Sequence, residues 1–488
     1  MTDLVRVADC LRHNALGDGA LFRDIHRGRF VYDASAGSWM EWQGHRWDTD
    51  VTDRALAAVE DVALAYADLE ADLSERSAEA QAAGNTDDAR RLQGARKKVE
   101  ARVDRLRGTR GREDCLRFAR TMQTDPLVVR GDVWDQDPDL LVCENGVLDL
   151  TTGAMRPGRT DDWNQKAAAV VWDESAACPT WERFLSESIG CPETVAFLQR
   201  AMGYGLTGHT HEQVFLLLSG EGRNGKGIFV ETALSIMGQY AGPIQAEMLL
   251  DQGRGARNPA GPSPDIMSLR GRRLVVASES DEARRFSSSK LKWITGQDSL
   301  VGRNPNEKFQ VTFLPTHLLI LCTNNDPYAP ADDFAFWERV RKVVWPFQFV
   351  HRPDPDNPRQ KLRDDRLRSA LANERPGILR WMVEGCLLWR GEGLNPPPPV
   401  MSAGDEYRRE NDQIQDWIDE CVGLSDGGET SSNDLYENFG AWWRKYHGAR
   451  VPSIAWWGRR MSKKFERIKR GVYYYQGLFL TVETESLK

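Results

Sequence analysis

V-F-L-L-L-S-G-E-G-R-N-G-K-G-I-F-V-E-T-A-L, residues 214–234, decides the fold of this 488-residue chain. Val214 to Ser219 form an unbroken apolar run of buried-strand length, and Ile228 onward reads as a helix. Between them lie Gly220, Glu221, Gly222, Arg223, Asn224, Gly225, Lys226 and Gly227. Glycines at 220, 222 and 225 let the backbone bend, so that its N–H groups can surround a phosphate at a helix N-terminus while Lys226 reaches the outer phosphates. ATP is therefore expected on residues Gly220 to Ile228. Gly227 stands where a hydroxyl usually touches Mg²⁺, so the metal is expected to lean on water and another side chain.

Outward from the loop, residues 211–349 alternate apolar strands with helices, the pattern of an α/β domain with a parallel sheet. R-R-L-V-V-A-S-E at 272–279 delivers Glu279 to the C-terminal end of a buried strand, beside such a loop, where it could hold Mg²⁺ or orient water. Asp281 and Glu282 could help or form a solvated turn. H-L-L-I-L-C at 317–322 delivers Asn324, whose amide can position water or feel the terminal phosphate. Asn-Asn-Asp-Pro at 324–327 reads equally as a turn cap. Arg339 and Arg341 precede one more apolar strand. Arg339 is the better candidate for a guanidinium offered to a neighbouring subunit's site, with a structural ion pair as its other role.

Composition sets the frame. Sixty-four Lys and Arg against 72 Asp and Glu give a net charge of −8, which excludes a general basic nucleic-acid coat and makes any such contact local. The eight cysteines form no C-x-x-C pair or zinc-like spacing, so buried thiols in a reducing cytoplasm are expected. There is no signal-peptide pattern and no run of membrane-spanning length, so no membrane partner is expected.

Residues 1–125 are expected to form an α+β N-terminal module. It begins with aromatic-rich short strands before residue 50 and continues as a charged helical hairpin broken at Ala83-Gly84-Asn85, with Thr86 as cap. That hairpin is either a solvated spacer or an intersubunit arm. Residues 126–208 form a connecting region, with strands expected at L-L-V-C-E, N-G-V-L-D-L and A-A-A-V-V-W-D before core helices. The motor candidate covers 209–350. A helical segment at 351–425 is interrupted by the proline-rich linker Asn395 to Pro399.

Residues 426–488 carry a local basic patch. Ten Lys and Arg lie between 441 and 470 against the single acid Glu466. Aromatic spacing followed by G-V-Y-Y-Y-Q-G-L-F-L predicts helix, helix, wing, which resembles a winged-helix DNA binder. Arg459, Arg460, Lys463 and Lys464 are its phosphate-contact candidates; a solvated face or a protein-docking site is the other reading.

The loop, acidic strand end, polar sensor and arginine, in that order, resemble superfamily 3 helicases, the compact AAA+ motors of small viruses, phages and plasmids. The chain looks most like the poxvirus nucleoside-triphosphatase and phage or plasmid primase C-terminal group. The likeness runs from G-x-G-x-N-G-K at 220–226 to N-G-V-L-D-L at 145–150, C-P-T-W at 178–181, L-Q-R-A-M-G-Y-G-L-T-G at 198–208 and P-G-I-L-R-W-M-V-E-G-C-L-L-W at 376–389. The resemblance implies Lys226 as phosphate lysine, Glu279 as metal-site acid, Asn324 as sensor and Arg339 as finger. Two departures stand out: Gly227, and Ser280 where other members place a second acid.

The resemblance also implies a pore hairpin within 291–309. There Asn304-Pro305-Asn306-Glu307 is a turn signal, and Arg303 and Lys308 flank it with positive charge. Arg303, Asn304 and Lys308 would then track a strand's phosphates. Also implied are a homo-hexamer, movement 3′ to 5′ on single strands, and single-stranded and forked DNA as partners. A separate primase or polymerase follows as well, because residues 1–208 are expected to be too short to add a primer-synthesising domain. The setting expected is a phage or mobile element in the cytoplasm of a bacterial host.

Overall fold

The computed structural model describes residues 3–251, 262–279, 285–305 and 310–487, and the chain divides into two compact units. Met1–Ser175 with Ile236–Tyr240 make the first, and Ala176–Ser235 with Ala241–Lys488 the second.

The first unit opens on helices, not strands. Leu4–Arg12 is capped by Asp3, whose side chain accepts from the Val5 N–H, and it is followed directly by Asn14–His26. Two glycines inside the second helix serve close packing. A Cβ on Gly17 would lie 1.7 Å from the Cys10 carbonyl oxygen, and one on Gly19 would lie 2.7 Å from the Ala119 nitrogen. The expected strands follow at Phe30–Asp33, Ser38–Trp42 and Trp47–Thr49, and Val128–Val129 completes a four-stranded sheet.

The charged hairpin is Val59–Ala82 and Thr86–Arg107, with Asn85 rather than Thr86 as the cap. Arg107 to Glu60 at 2.9 Å, Arg96 to Glu70 at 2.9 Å and Ser77 to the Ala89 carbonyl at 3.3 Å form an antiparallel ladder along it. Its apolar stripe, including Val59, Tyr66, Val99 and Leu106, belongs to the same core as Leu21, Phe22 and Cys115. Three antiparallel strands, Leu140–Cys143, Gly146–Asp149 and Ala154–Arg156, come next. A-A-A-V-V-W-D is not a strand: Ala168 donates to the Val142 carbonyl and Glu144 to the Val170 carbonyl, two isolated bonds rather than a ladder.

The second unit is built on five parallel strands: β1 (Phe215–Ser219), β2 (Ala241–Ile244), β3 (Leu274–Glu279), β4 (Leu318–Thr323) and β5 (Val340–Val344). Their order is β5-β1-β4-β3-β2, so β4, which leads into Asn324, lies between the strand before the glycine loop and the strand that ends at Glu279. Alternation divides the side chains between the faces. Phe215, Leu217, Val275, Ala277, Leu319 and Leu321 share a core with Phe286, Leu291, Phe336 and Tyr407. After β1 comes α1 (Lys226–Met237), whose Phe229 stacks on Trp181 at 5.5 Å and packs on Trp345 at 5.6 Å.

Leu300–Gly302 and Val311–Phe313 pair as an antiparallel ribbon, the position of the expected hairpin. The proline stretch does not act only as a linker, since Pro398 and Pro399 open the helix Pro398–Glu410, where a missing N–H costs nothing. The C-terminal part runs helix Gln413–Cys421, strand Val422–Ser431, helices Ser432–His447 and Ile454–Lys464, then strands Arg467–Arg470 and Val472–Leu480. Helix, helix and hairpin come in the expected order. The polar, glycine-bearing strand Val422–Ser431, which pairs with Val472–Leu480 across a register shift, was not foreseen. Trp417, Phe439, Trp457 and Tyr475 fill its core. Cys191 and Cys322 are half-buried and the other cysteines buried; all are free.

Candidate functional site

Parallel register brings Ser219, Thr323 and Glu279 level at the carboxyl edge of β1, β4 and β3. The glycine loop leaves β1 at that edge and returns as α1, so the first amides of a helix face the space above the sheet. Gly225 has φ +97°, and a Cβ there would lie 2.9 Å from Phe184 and 3.1 Å from the Ser188 hydroxyl, so both conformation and space demand glycine. Gly222 and Gly227 face open space.

Lys226 is 5 % exposed. Its Nζ donates to the Gly220 carbonyl and to Asn324 Oδ1, the latter at 3.3 Å. Burial pulls its pKa down to about 8 from 10.5, and the negative charge of Asp326 works the other way. Asn224 Oδ1 accepts from the Lys226 N–H at 3.4 Å, while its Nδ2 is buried and without a partner among the described residues. A cavity of about 640 Å³ opens beside the loop, lined by Arg223, Asn224, Gly227, Phe349 and Arg368 among others. A buried cation, an orphaned amide donor and an adjoining cavity of small-molecule size fit an anionic, phosphate-bearing ligand.

Three further residues complete this edge. Asp326 accepts from the Ser219 hydroxyl at 2.7 Å and pairs with Lys342 of β5 at 2.6 Å. Lys342 Nζ lies 5.0 Å from the centre of the Tyr407 ring, and the Tyr407 hydroxyl donates to the Pro327 carbonyl. The sequence did carry a signal for this group: Lys342 is a buried cation between the apolar residues of β5, beside Arg341, and a buried cation demands a partner.

Arg339 sits at the other end of the sheet, where its carbonyl accepts from the Phe215 N–H at the start of β1. Its guanidinium donates to the Ala335 carbonyl at 2.7 Å and to Gln213 at 2.8 Å, so it does not meet Lys226 within one chain. Arg341 donates to the Glu338 and Val340 carbonyls. The Glu279 side chain, Ser280, Asp281, Glu282 and Lys308 lie outside the described residues. At the ribbon, Arg303 pairs through its backbone with Ser263, and Asn304 is half-buried. Among the described residues no group of three or more His, Cys, Asp or Glu could hold a metal ion. Nor is any helix long and apolar enough to cross a membrane.

On the C-terminal helix Ile454–Lys464, Arg459, Lys463 and Lys464 are exposed and Arg460 is half-buried. Arg460 pairs with Asp332, and Lys464 with Asp412.

Fold and site define a five-stranded parallel α/β protein with a lysine-bearing glycine loop at the carboxyl edge of its sheet. Residues 19–190 match the protein family described as D5 N terminal like. A protein of Acanthamoeba polyphaga mimivirus named as a helicase is 23% identical over 450 residues, 88% of this chain and 46% of its own length. One of African swine fever virus named as a primase is 26% identical over 231 residues, 46% of this chain and 24% of its own. The chain thus spans half or less of the length of these relatives. The apo structure of the NrS-1 C-terminal region aligns over 94% of this chain and 98% of that one, at 11% identity and a TM-score of 0.48. Residues 19–190 thus carry a D5 N terminal like region, and the chain is similar over much of its length to viral proteins named as helicases and primases.

Proposed function

We propose that this protein is an ATP-driven motor of DNA replication, a superfamily 3 helicase with an AAA+ core. The observation that carries the reading is Lys226, buried in the glycine loop and bonded at once to the loop carbonyl of Gly220 and to Asn324 at the end of the neighbouring strand. A γ-phosphate taking the place of those partners would be felt by loop and sensor together. The placement of β4 between β1 and β3 supports this, because it puts a polar strand end between the phosphate lysine and the acidic strand end. ATP is the ligand proposed, with Mg²⁺ held through Glu279 and water, since Gly227 offers no hydroxyl. Bound Mg²⁺ would neutralise charge on the phosphates.

The names of the viral relatives support DNA as the substrate. The order helix, strand, helix, helix, strand, strand at the C-terminus supports a winged-helix contact with duplex. A hexameric ring, the 303–308 hairpin as a grip on single-stranded DNA, Arg339 acting on a neighbour's nucleotide, work beside a separate primase or polymerase, and a phage or mobile-element source rest on the resemblance. Lys226→Ala should abolish both ATP hydrolysis and unwinding of forked DNA, whereas Lys308→Ala should spare hydrolysis and impair unwinding. ATP hydrolysis without strand separation by the wild-type protein would replace the helicase reading with that of an ATP-regulated assembly factor.

A further inference from the structure

The basic helix Ile454–Lys464 is sorted into two faces by what its cations touch. Its N-terminus is capped by Ser453, whose hydroxyl accepts from the Trp456 N–H, and Trp457 and Met461 anchor it in the core. On one side, Arg460 lies over the Trp456 ring at 3.7 Å and donates to Asp332 Oδ1 at 2.5 Å. One turn on, Lys464 donates to Asp412 Oδ2 at 2.8 Å and Gln415 Oε1 at 2.7 Å. On the other side, Arg459 and Lys463, also one turn apart, are exposed and have no ion-pair partner among the described residues.

The acids come from elsewhere in the chain. Asp332 lies on the segment joining β4 to β5, which is itself fastened by Arg408 to the Ala331 carbonyl at 3.0 Å and by Ala329 to Asn411 at 2.8 Å. Asp412 caps the helix Gln413–Cys421, accepting from the Gln415 N–H. Arg460 is mostly covered, with 17 % of its side chain exposed, so its pairing is held by packing and not merely by proximity on a wet surface.

We propose that this helix is a partly masked duplex-binding element: Arg459 and Lys463 are displayed to a phosphate backbone, while Arg460 and Lys464 are withheld by Asp332 and Asp412. This rests on the DNA reading of the C-terminal unit. A duplex competing for the withheld pair must offer phosphates in exchange for two carboxylates already in place, so the resting affinity comes from half of the helix's four cations. Releasing the other half adds phosphate contacts, each carrying its own counterion release.

The test uses the full chain and a fluorescein-labelled blunt duplex, with anisotropy followed across a salt series. Asp332→Asn with Asp412→Asn should bind about three- to tenfold tighter at moderate salt. The slope of log affinity against log salt should steepen by up to about 1.8, at about 0.9 per added phosphate. Adding Arg460→Ala to that pair should return both quantities toward wild type, and Asp332→Glu should keep the mask. Asp426→Asn with Asp132→Asn, two exposed acids, matches the double variant's change of net charge and, like Asp426→Asn alone, should leave binding where it was. Unchanged affinity and slope in the double variant, with wild-type thermal unfolding, overturns the mask. So does a gain that Asp426→Asn with Asp132→Asn reproduces. If Arg459→Ala with Lys463→Ala leaves wild-type binding intact, the DNA reading of this unit falls too, so the two failures are distinguishable.

Discussion

Raising the pH should weaken nucleotide binding well before an ordinary lysine would lose its proton. Burial sets the Lys226 pKa at about 8 instead of 10.5, so about nine-tenths of the side chain is charged at pH 7 and about one-tenth at pH 9. If the outer phosphates bind only the cation, affinity falls roughly tenfold between those two values and about tenfold per further unit. The bound phosphates hold the proton on, so at pH 9 nucleotide binding takes up close to one proton, visible as a dependence of the calorimetric heat on buffer ionisation enthalpy. The free protein should show the opposite trend. Between about pH 8 and 10.5 the unfolded lysine is charged and the folded one is not, so the unfolded state binds more protons and this group's contribution to stability rises with pH. Titrating a fluorescent ATP analogue from pH 7 to 9.5 reads the effect directly. A flat affinity across that range would refute the claim that a desolvated Lys226 makes the contact.

Other perturbations follow from the same contacts. Gly225→Ala forces a side chain into φ +97° against Phe184 and should cost at least tenfold in nucleotide affinity, measured by the same titration. Asp326→Asn leaves Lys342 without its carboxylate and should lower stability to urea by about 2 kcal/mol, below the range for fully buried pairs because the site is partly open. In the first unit, Asp18 is buried and held by Arg102 at 2.8 Å and by the Tyr66 hydroxyl at 3.1 Å. Arg102→Met should therefore destabilise that unit by about 3 kcal/mol, seen as a shifted chemical-denaturation midpoint.

The five-stranded parallel sheet was legible because its strands are short apolar runs that end in polar residues, and parallel pairing then puts those ends on one edge. Lys226 and Asn324 meet for that reason alone. The N-terminal helices were not foreseen because the aromatic-rich runs that follow them set the reading of the whole segment; Gly17 and Gly19 admit close helix packing, and sequence gives a glycine's presence but not what presses on it. The strand Val422–Ser431 was missed because its polar, glycine-bearing run has no apolar alternation, and its pairing comes from Val472–Leu480 far along the chain. Asp326 was read as part of a turn, since its partners Ser219 and Lys342 come from two other strands. The division of the basic helix into free and paired cations was equally hidden, because all four residues look alike until Asp332 and Asp412 are placed beside two of them.

Isothermal calorimetry of the full chain with a slowly hydrolysed ATP analogue and Mg²⁺ tests the central claim most directly. Saturable binding at one site per chain, lost in Lys226→Ala, is the predicted result; no heat of binding, or binding that survives in the variant, would contradict it.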